Sequence, residues 1–196
     1  MDPAVTVVAK TYNKLPTLIE ADEKFRDREP FFAAVSVLLS QYNYGFGVCL
    51  IHAHCTLADG EIMLARGAIS EPVLASEASA YNPERWLPSG EPYEFTVRPT
   101  RTPPRELVAA FRELTRGSEV LGLCYISDEE QEPQIEWTEG RKNMTRPLTE
   151  PDRAAQIVET QWNPGRVDPV VMACVIYCES MTTKNGGKHT GTYVLF

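Results

Sequence analysis

Apolar side chains at Phe31, Phe32, Val35, Leu38, Leu39 and Tyr42 recur at i, i+1, i+4, i+7, i+8 and i+11. That spacing predicts an amphipathic helix over residues 30–43, with Pro30 near its start and Gly45 past its end. A second helix is predicted over 103–116: Thr102 caps it, Pro103 suits the first turn, Leu107, Val108, Phe111 and Leu114 form the stripe, and Gly117 stops it. Thr149 and Asp152 in TEPD have capping-box spacing, which predicts a third, shorter helix. Alternation and β-branched content predict strands at 48–56, 62–69, 93–97, 120–127, 134–139, 170–179 and 190–196, with hairpin turns at ADGE and TKNGGK. Short turns join most neighbouring strands, and helices do not alternate with them. The expectation is one α+β domain over residues 1–196: a mainly antiparallel sheet, or a partly closed barrel, with about three helices packed on one face. Residues 70–92 (SEPVLASEASAYNPERWLPSGEP) are predicted to be a long loop, either a lid over a binding site or a surface loop pinned by Trp86.

Two of the three histidines, His52 and His54, lie one residue apart in GVCLIHAHCTLADGEIMLARG. If Asp59 and Gly60 are the central residues of a two-residue turn, His54 faces Ala65 and His52 faces Gly67. Cys49, Ile51, Ala53, Cys55, Ile62 and Leu64 then form the core face, and both imidazoles stand on the other face beside the smallest available neighbours. Such space suits a ligand. Imidazole titrates near neutral pH, so two rings about 6.5–7 Å apart at Cα can act as general acid and base or share a metal ion.

The H-x-H…E…G string invites comparison with the cupin metal strand, but each interval here departs from that pattern. In the hairpin register Glu61 lies level with Ala58, about 13 Å along the strand from His54, too far to join its coordination sphere. Cys174, Cys178 and His189 look like a metal-ligand spacing, yet VVMACVIYC reads as a strand that separates the two thiols by about 13 Å. Packing is the expected role of these cysteines. Cys55 adjoins His54 but points to the opposite face of a strand, which argues against a Cys–His nucleophile.

In IEWTEGRKN, Ile135, Trp137 and Glu139 share one strand face, with Arg141 next in phase. Glu139 beside Trp137 could serve as an acid or base and Arg141 could bind an anion or an oxygen-rich ligand; the alternative is a Glu139–Arg141 surface pair. Glu94 lies between Tyr93 and Phe95, so alternation points it away from the aromatics and toward solvent. No G-x-S-x-G, Walker loop, dinucleotide fingerprint or H-E-x-x-H occurs.

Composition narrows the partners. The formal charge of −8, with 27 acidic against 19 basic residues and no basic run, argues against nucleic acid. The longest apolar stretch, near 31–39, is about half a bilayer span, and MDPAVTVVAK lacks the features of a signal peptide, so a soluble cytoplasmic protein is expected, away from membranes. Five cysteines scattered through apolar runs read as reduced thiols.

The run FGVCLIHAHCTLADGEIMLARG, with the later Trp137-Thr138-Glu139-Gly140-Arg141 and Cys174…Cys178…His189, resembles a pattern in small, largely uncharacterised proteins of filamentous fungi. Some of these are encoded among natural-product biosynthesis genes. The resemblance covers most of the chain and implies a small organic ligand without naming a reaction.

The leading expectation is a cofactor-independent enzyme acting on a small oxygenated metabolite by proton transfer, as an isomerase, cyclase or dehydratase. His52 and His54 would be acid and base, Glu139 would assist, and Arg141, Ala65 and Gly67 would contact substrate under Trp86 as a cover. The alternatives are a metal-dependent enzyme with His52, His54 and a third ligand from His189 or a carboxylate, and a non-catalytic small-molecule-binding or interaction protein.

Overall fold

The computed structural model describes residues 3–26, 28–126, 132–155, 157–164 and 172–179. Three helices open the chain: α1 (Pro3–Tyr12), α2 (Leu18–Lys24) and α3 (Arg28–Ser40). Five strands follow, β1 (Phe46–Leu50), β2 (Glu61–Arg66), β3 (Ile69–Leu74), β4 (Asn82–Trp86) and β5 (Pro92–Thr96), then α4 (Arg105–Leu114). The remaining strands are β6 (Leu121–Tyr125), β7 (Gln134–Glu139), β8 (Lys142–Pro147), β9 (Ile157–Pro164) and β10 (Met172–Glu179). A 3-10 turn, Glu150–Ala154, precedes β9. The strands close into a ten-membered barrel in the order β1-β6-β4-β5-β2-β3-β8-β7-β10-β9. Its pairs are antiparallel except β2 with β5 and β7 with β10, which are parallel. No helix among the described residues is long and apolar enough to cross a membrane.

The α+β class and the closure of the sheet agree with the sequence reading. The periodic stripe at 30–43 is α3, the 103–116 stripe is α4, and TEPD forms the 3-10 turn, where the Asp152 carboxylate accepts from the Thr149 backbone N–H at 2.8 Å. α2 was not foreseen, although TLIE carries its own capping box: Thr17 N–H donates to Glu20 Oε2 at 2.8 Å and Glu20 N–H to Thr17 Oγ1 at 3.3 Å. The predicted strand at 190–196, the TKNGGK turn and His189 lie outside the described residues.

Two expectations are overturned. Residues 70–92 are not one long loop, because β3 takes 70–74 and β4 takes 82–86, with Pro72 and Pro83 inside these strands. The hairpin carrying the histidines is absent as well. β1 pairs with β6 and β9, β2 pairs with β3 and β5, and the two strands never meet. The Asp59-Gly60 turn, with Gly60 at φ +85°, instead links an irregular segment to β2. The true two-residue hairpins place Gly67 between β2 and β3 and Gly140 between β7 and β8, both at φ +62°, where a residue without Cβ is unstrained.

Closure turns the two faces of every strand into an outside and a lumen. Outward residues Phe46, Val48, Leu50, Trp86, Leu121, Leu123 and Trp162 pack with α3 and α4 through Val35, Leu39, Leu107 and Phe111. On another side Ile62, Leu64 and Phe95 form a second outer cluster, and α1 packs on β2 and β5. The lumen face is polar, with Arg85, Glu94, Thr96, Glu136, Thr138, Asn143 and Gln161 all buried.

Gly122 lets β6 pass close to β4. A Cβ placed there would sit 2.5 Å from the Trp86 carbonyl oxygen and 3.1–3.2 Å from Ile51 and Cys49 side-chain atoms. A backbone oxygen held in a sheet cannot give way, so Gly122→Ala is expected to lower stability by about 1–3 kcal/mol, read as a shift in the urea midpoint.

Candidate functional site

β1 stops at Leu50; Ile51 N–H still donates to Val120 O beside β6 at 2.9 Å, and the seven residues after it, His52 to Ala58, leave the ladder. Such a segment must satisfy its backbone without strand partners. It does so through the N-terminal helix and its following turn: Ala53 N–H donates to Pro16 O at 3.0 Å, His54 N–H to Tyr12 Oη at 3.1 Å, and Leu57 N–H to Asn13 Oδ1 at 2.8 Å. Ile51, Ala53, Cys55 and Leu57 pack against Ala9, Tyr12, Met63 and Tyr93, which carries the backbone between them across the barrel. Arg141 closes the far end of the segment, donating to Thr56 O at 2.8 Å and Glu61 Oε1 at 3.2 Å.

His52 and His54 are thereby both buried, with ring centroids 4.7 Å apart. His52 Nδ1 lies 2.8 Å from Leu50 O; a carbonyl only accepts, so Nδ1 carries the proton and Nε2 faces the Cys178 thiol at 3.7 Å. His54 Nε2 faces Glu94 Oε1, also at 3.7 Å. Cys178 is on β10 and Glu94 on β5, five places apart in the ring of ten, so the His-Ala-His stretch spans from one wall to the opposite one.

Two further groups, Arg85 and Glu136, join these four. Arg85 on β4 places Nε 3.4 Å from Glu94 Oε2 and Nη2 3.5 Å from Glu136 Oε1 on β7, itself across the lumen. Cys178 Sγ donates to Glu136 Oε2 at 3.4 Å. The six side chains thus run His54, Glu94, Arg85, Glu136, Cys178, His52, and the two rings close the circuit. Burial pushes the Glu94 carboxyl up to about 8; Glu136 and Cys49 add to the effect and Arg85 opposes it without prevailing. Glu94 is therefore mostly neutral at pH 7. Burial likewise pushes the Cys178 thiol well up, keeping it protonated, whereas Arg85 stays charged because Glu94 and Glu136 outweigh its own burial.

Beside this layer opens a cavity of about 370 Å³. Arg85, Glu94 and Glu136 line it, together with Asn143, Gln134 and Gln161, and Arg98 and Arg146 reach it from partly exposed positions. Neither histidine is on its surface; both stand behind Glu94 and Glu136. No protein-family model, curated protein or solved structure matches the chain.

Ala65 and Gly67 line the cavity, but their open space is not beside the imidazoles, because β2 faces β5 and β3 rather than β1. Trp86 is no cover. It is buried on the outer face of β4 against Phe46, with rings 6.2 Å apart. Glu139 is exposed and accepts from Trp137 Nε1 at 2.8 Å, since Gln134 and Glu136 take the lumen face of β7 and odd-numbered residues face out. Arg141 sits in the turn after it and pairs with Glu61 rather than with Glu139. Glu94 does not point to solvent: away from Tyr93 and Phe95 means into the lumen. Among the described residues no group of three or more His, Cys, Asp or Glu is placed to hold a metal ion.

Proposed function

We propose that the lumen is the active site of an enzyme acting on a small oxygenated metabolite by proton transfer, as an isomerase, cyclase or dehydratase. Glu94 is the group that gives or takes the proton at the cavity surface, and His54 is its partner from behind. The observation that carries this reading is the placement of Glu94. It is buried on the cavity wall, its Oε1 faces an imidazole nitrogen at 3.7 Å, and its Oε2 faces a guanidinium at 3.4 Å. A neutral carboxyl with a pKa near working pH can both donate and accept, which is what general acid–base catalysis requires. Arg85 supplies fixed positive charge where oxyanion character develops on a bound carbonyl or hydroxyl. His52, locked by Leu50 O and facing Cys178, holds the other side of the layer. The resemblance to fungal proteins encoded among natural-product genes supports a small organic substrate.

The test begins with metabolites of cells with and without the gene, which identify a compound that accumulates on deletion. Purified wild-type protein is expected to convert it, with Glu94→Gln slower by about 10²–10⁴-fold and His54→Gln slower by a smaller factor. A folded Glu94→Gln protein that turns the compound over at the wild-type rate would remove the proposal.

A further inference from the structure

Two polar groups on the cavity wall are left without a hydrogen-bond partner among the described residues. Asn143 on β8 is 2 % exposed and lines the cavity, and among the described residues its Oδ1 meets no hydrogen-bond donor. Glu94 Oε1 likewise has no hydrogen-bond partner among the described residues: Oε2 takes the Arg85 guanidinium, so Oε1 carries the proton of the neutral carboxyl, and His54 Nε2 stands 3.7 Å away. A buried polar group without a partner destabilises the empty site, and a bound molecule that supplies the partner removes that cost. The strand register shows what lies between them: Asn143 is level with Ser70, Ser70 with Ala65, and Ala65 with Thr96, one pleat from Glu94. Ser70 and Ala65 both line the cavity and are short, so the wall between Asn143 and Glu94 is recessed over three strand spacings, about 14 Å of backbone.

Charge selects the kind of molecule. Among the described residues three guanidiniums line the cavity, and each already faces a carboxylate: Arg85 with Glu136 at 3.5 Å, Arg98 with Glu84 at 3.0 Å and Arg146 with Asp152 at 2.6 Å. An anion would have to break one of these pairs to be held. A cation would meet like charge from these guanidiniums, and the Glu84 and Glu136 carboxylates are already paired with them. Donors without charge meet no such competition.

We propose that the lumen binds a neutral, hydroxyl-rich molecule of about monosaccharide size, donating to Asn143 Oδ1 on one wall and sharing hydrogen bonds with Glu94 on the other. The cavity volume of about 370 Å³ is at the small end for ligand sites and suits that size. This substrate class rests on the reading of the lumen as the ligand site, and binding is measured without turnover. A lumen that selects neutral polyols but catalyses nothing keeps the ligand class, and a catalyst that selects ions keeps the acid–base reading.

The test titrates the full chain by calorimetry and saturation-transfer NMR with glucose, xylose and myo-inositol, against gluconate as a matched anion and glucosamine as a matched cation. At least one neutral polyol is expected to bind at least tenfold more tightly than both ions. Asn143→Leu, checked for folding by its melting curve, is expected to weaken that binding at least tenfold. Gluconate or glucosamine binding as tightly as the best polyol, no binding by any neutral polyol, or wild-type affinity in folded Asn143→Leu each overturns the proposal. If Asn143→Leu does not fold, the selectivity of the natural chain decides.

Discussion

Replacing Arg85 by Met is expected to destabilise the protein by about 3–5 kcal/mol, read from urea denaturation, because the change removes one member of a buried charge cluster and leaves the others. Arg85 is buried between Glu94 and Glu136, with contacts of 3.4 and 3.5 Å, and its guanidinium is what makes carboxylates tolerable in the lumen. Met matches the length of the stem, so the packing change is small and the loss reports on charge. Without Arg85, both glutamates must be protonated to stay buried or ionised at a desolvation cost. The deficit of Arg85→Met should therefore be larger at pH 8 than at pH 5. Combining it with Glu136→Gln should recover part of the loss, since the two sites are coupled. A single variant within about 1 kcal/mol of wild type would show that the cluster is not a charged unit.

A second expectation concerns pH. The folded-state pKa of Glu94 is raised to about 8, above the ordinary carboxylate range of the unfolded chain. In the window between those values the native state holds a proton that the unfolded state has released. Stability attributable to Glu94 is thus complete below the carboxylate range, falls by up to about 1.4 kcal/mol per pH unit as pH rises toward 8, and is constant above it. Glu94→Gln keeps a neutral group of the same shape and removes the titration. Denaturation of both proteins at pH 5, 6.5 and 8 should show wild type losing stability relative to the variant at each step, by a few kcal/mol in all. Parallel stability profiles would mean that Glu94 is ionised in the native lumen, with Arg85 prevailing over burial. The same experiment bears on mechanism, since a carboxyl that is already anionic at pH 5 could accept a proton but not deliver one.

Much of the local structure was legible. The stripes of α3 and α4, the capping box of TEPD and most strand positions follow from periods of 3.6 and 2 and from side-chain caps, all of which act over a few residues. The candidate site was legible only in fragments. His52 and His54 stood out as rare residue types, and Ala65 and Gly67 were read as space, but their juxtaposition assumed that β1 pairs with the strand that follows it. Arg85, Glu94 and Glu136 were passed over or set aside as solvent-facing. The signal was present in ERW, YEF and IEW, where a charged residue adjoins a large apolar one inside a strand. In an open sheet that pattern means water on the second face. In a closed sheet it means a lumen, and the same alternation then buries three charges beside one another.

Residue periodicity alone marked α3, α4 and the strands β1, β2, β5, β6, β7 and β10, because each of those depends on neighbours within one turn or one pleat; it did not mark α2, β3, β4, β8 or β9. Tertiary structure alone decided that the second face is an interior, that residues 52–58 cross it, and that Glu94 rather than Glu139 meets a histidine. Strand partners such as β1 with β9 and β7 with β10 are chosen by how the whole sheet closes, and no local preference encodes a contact between walls five strands apart.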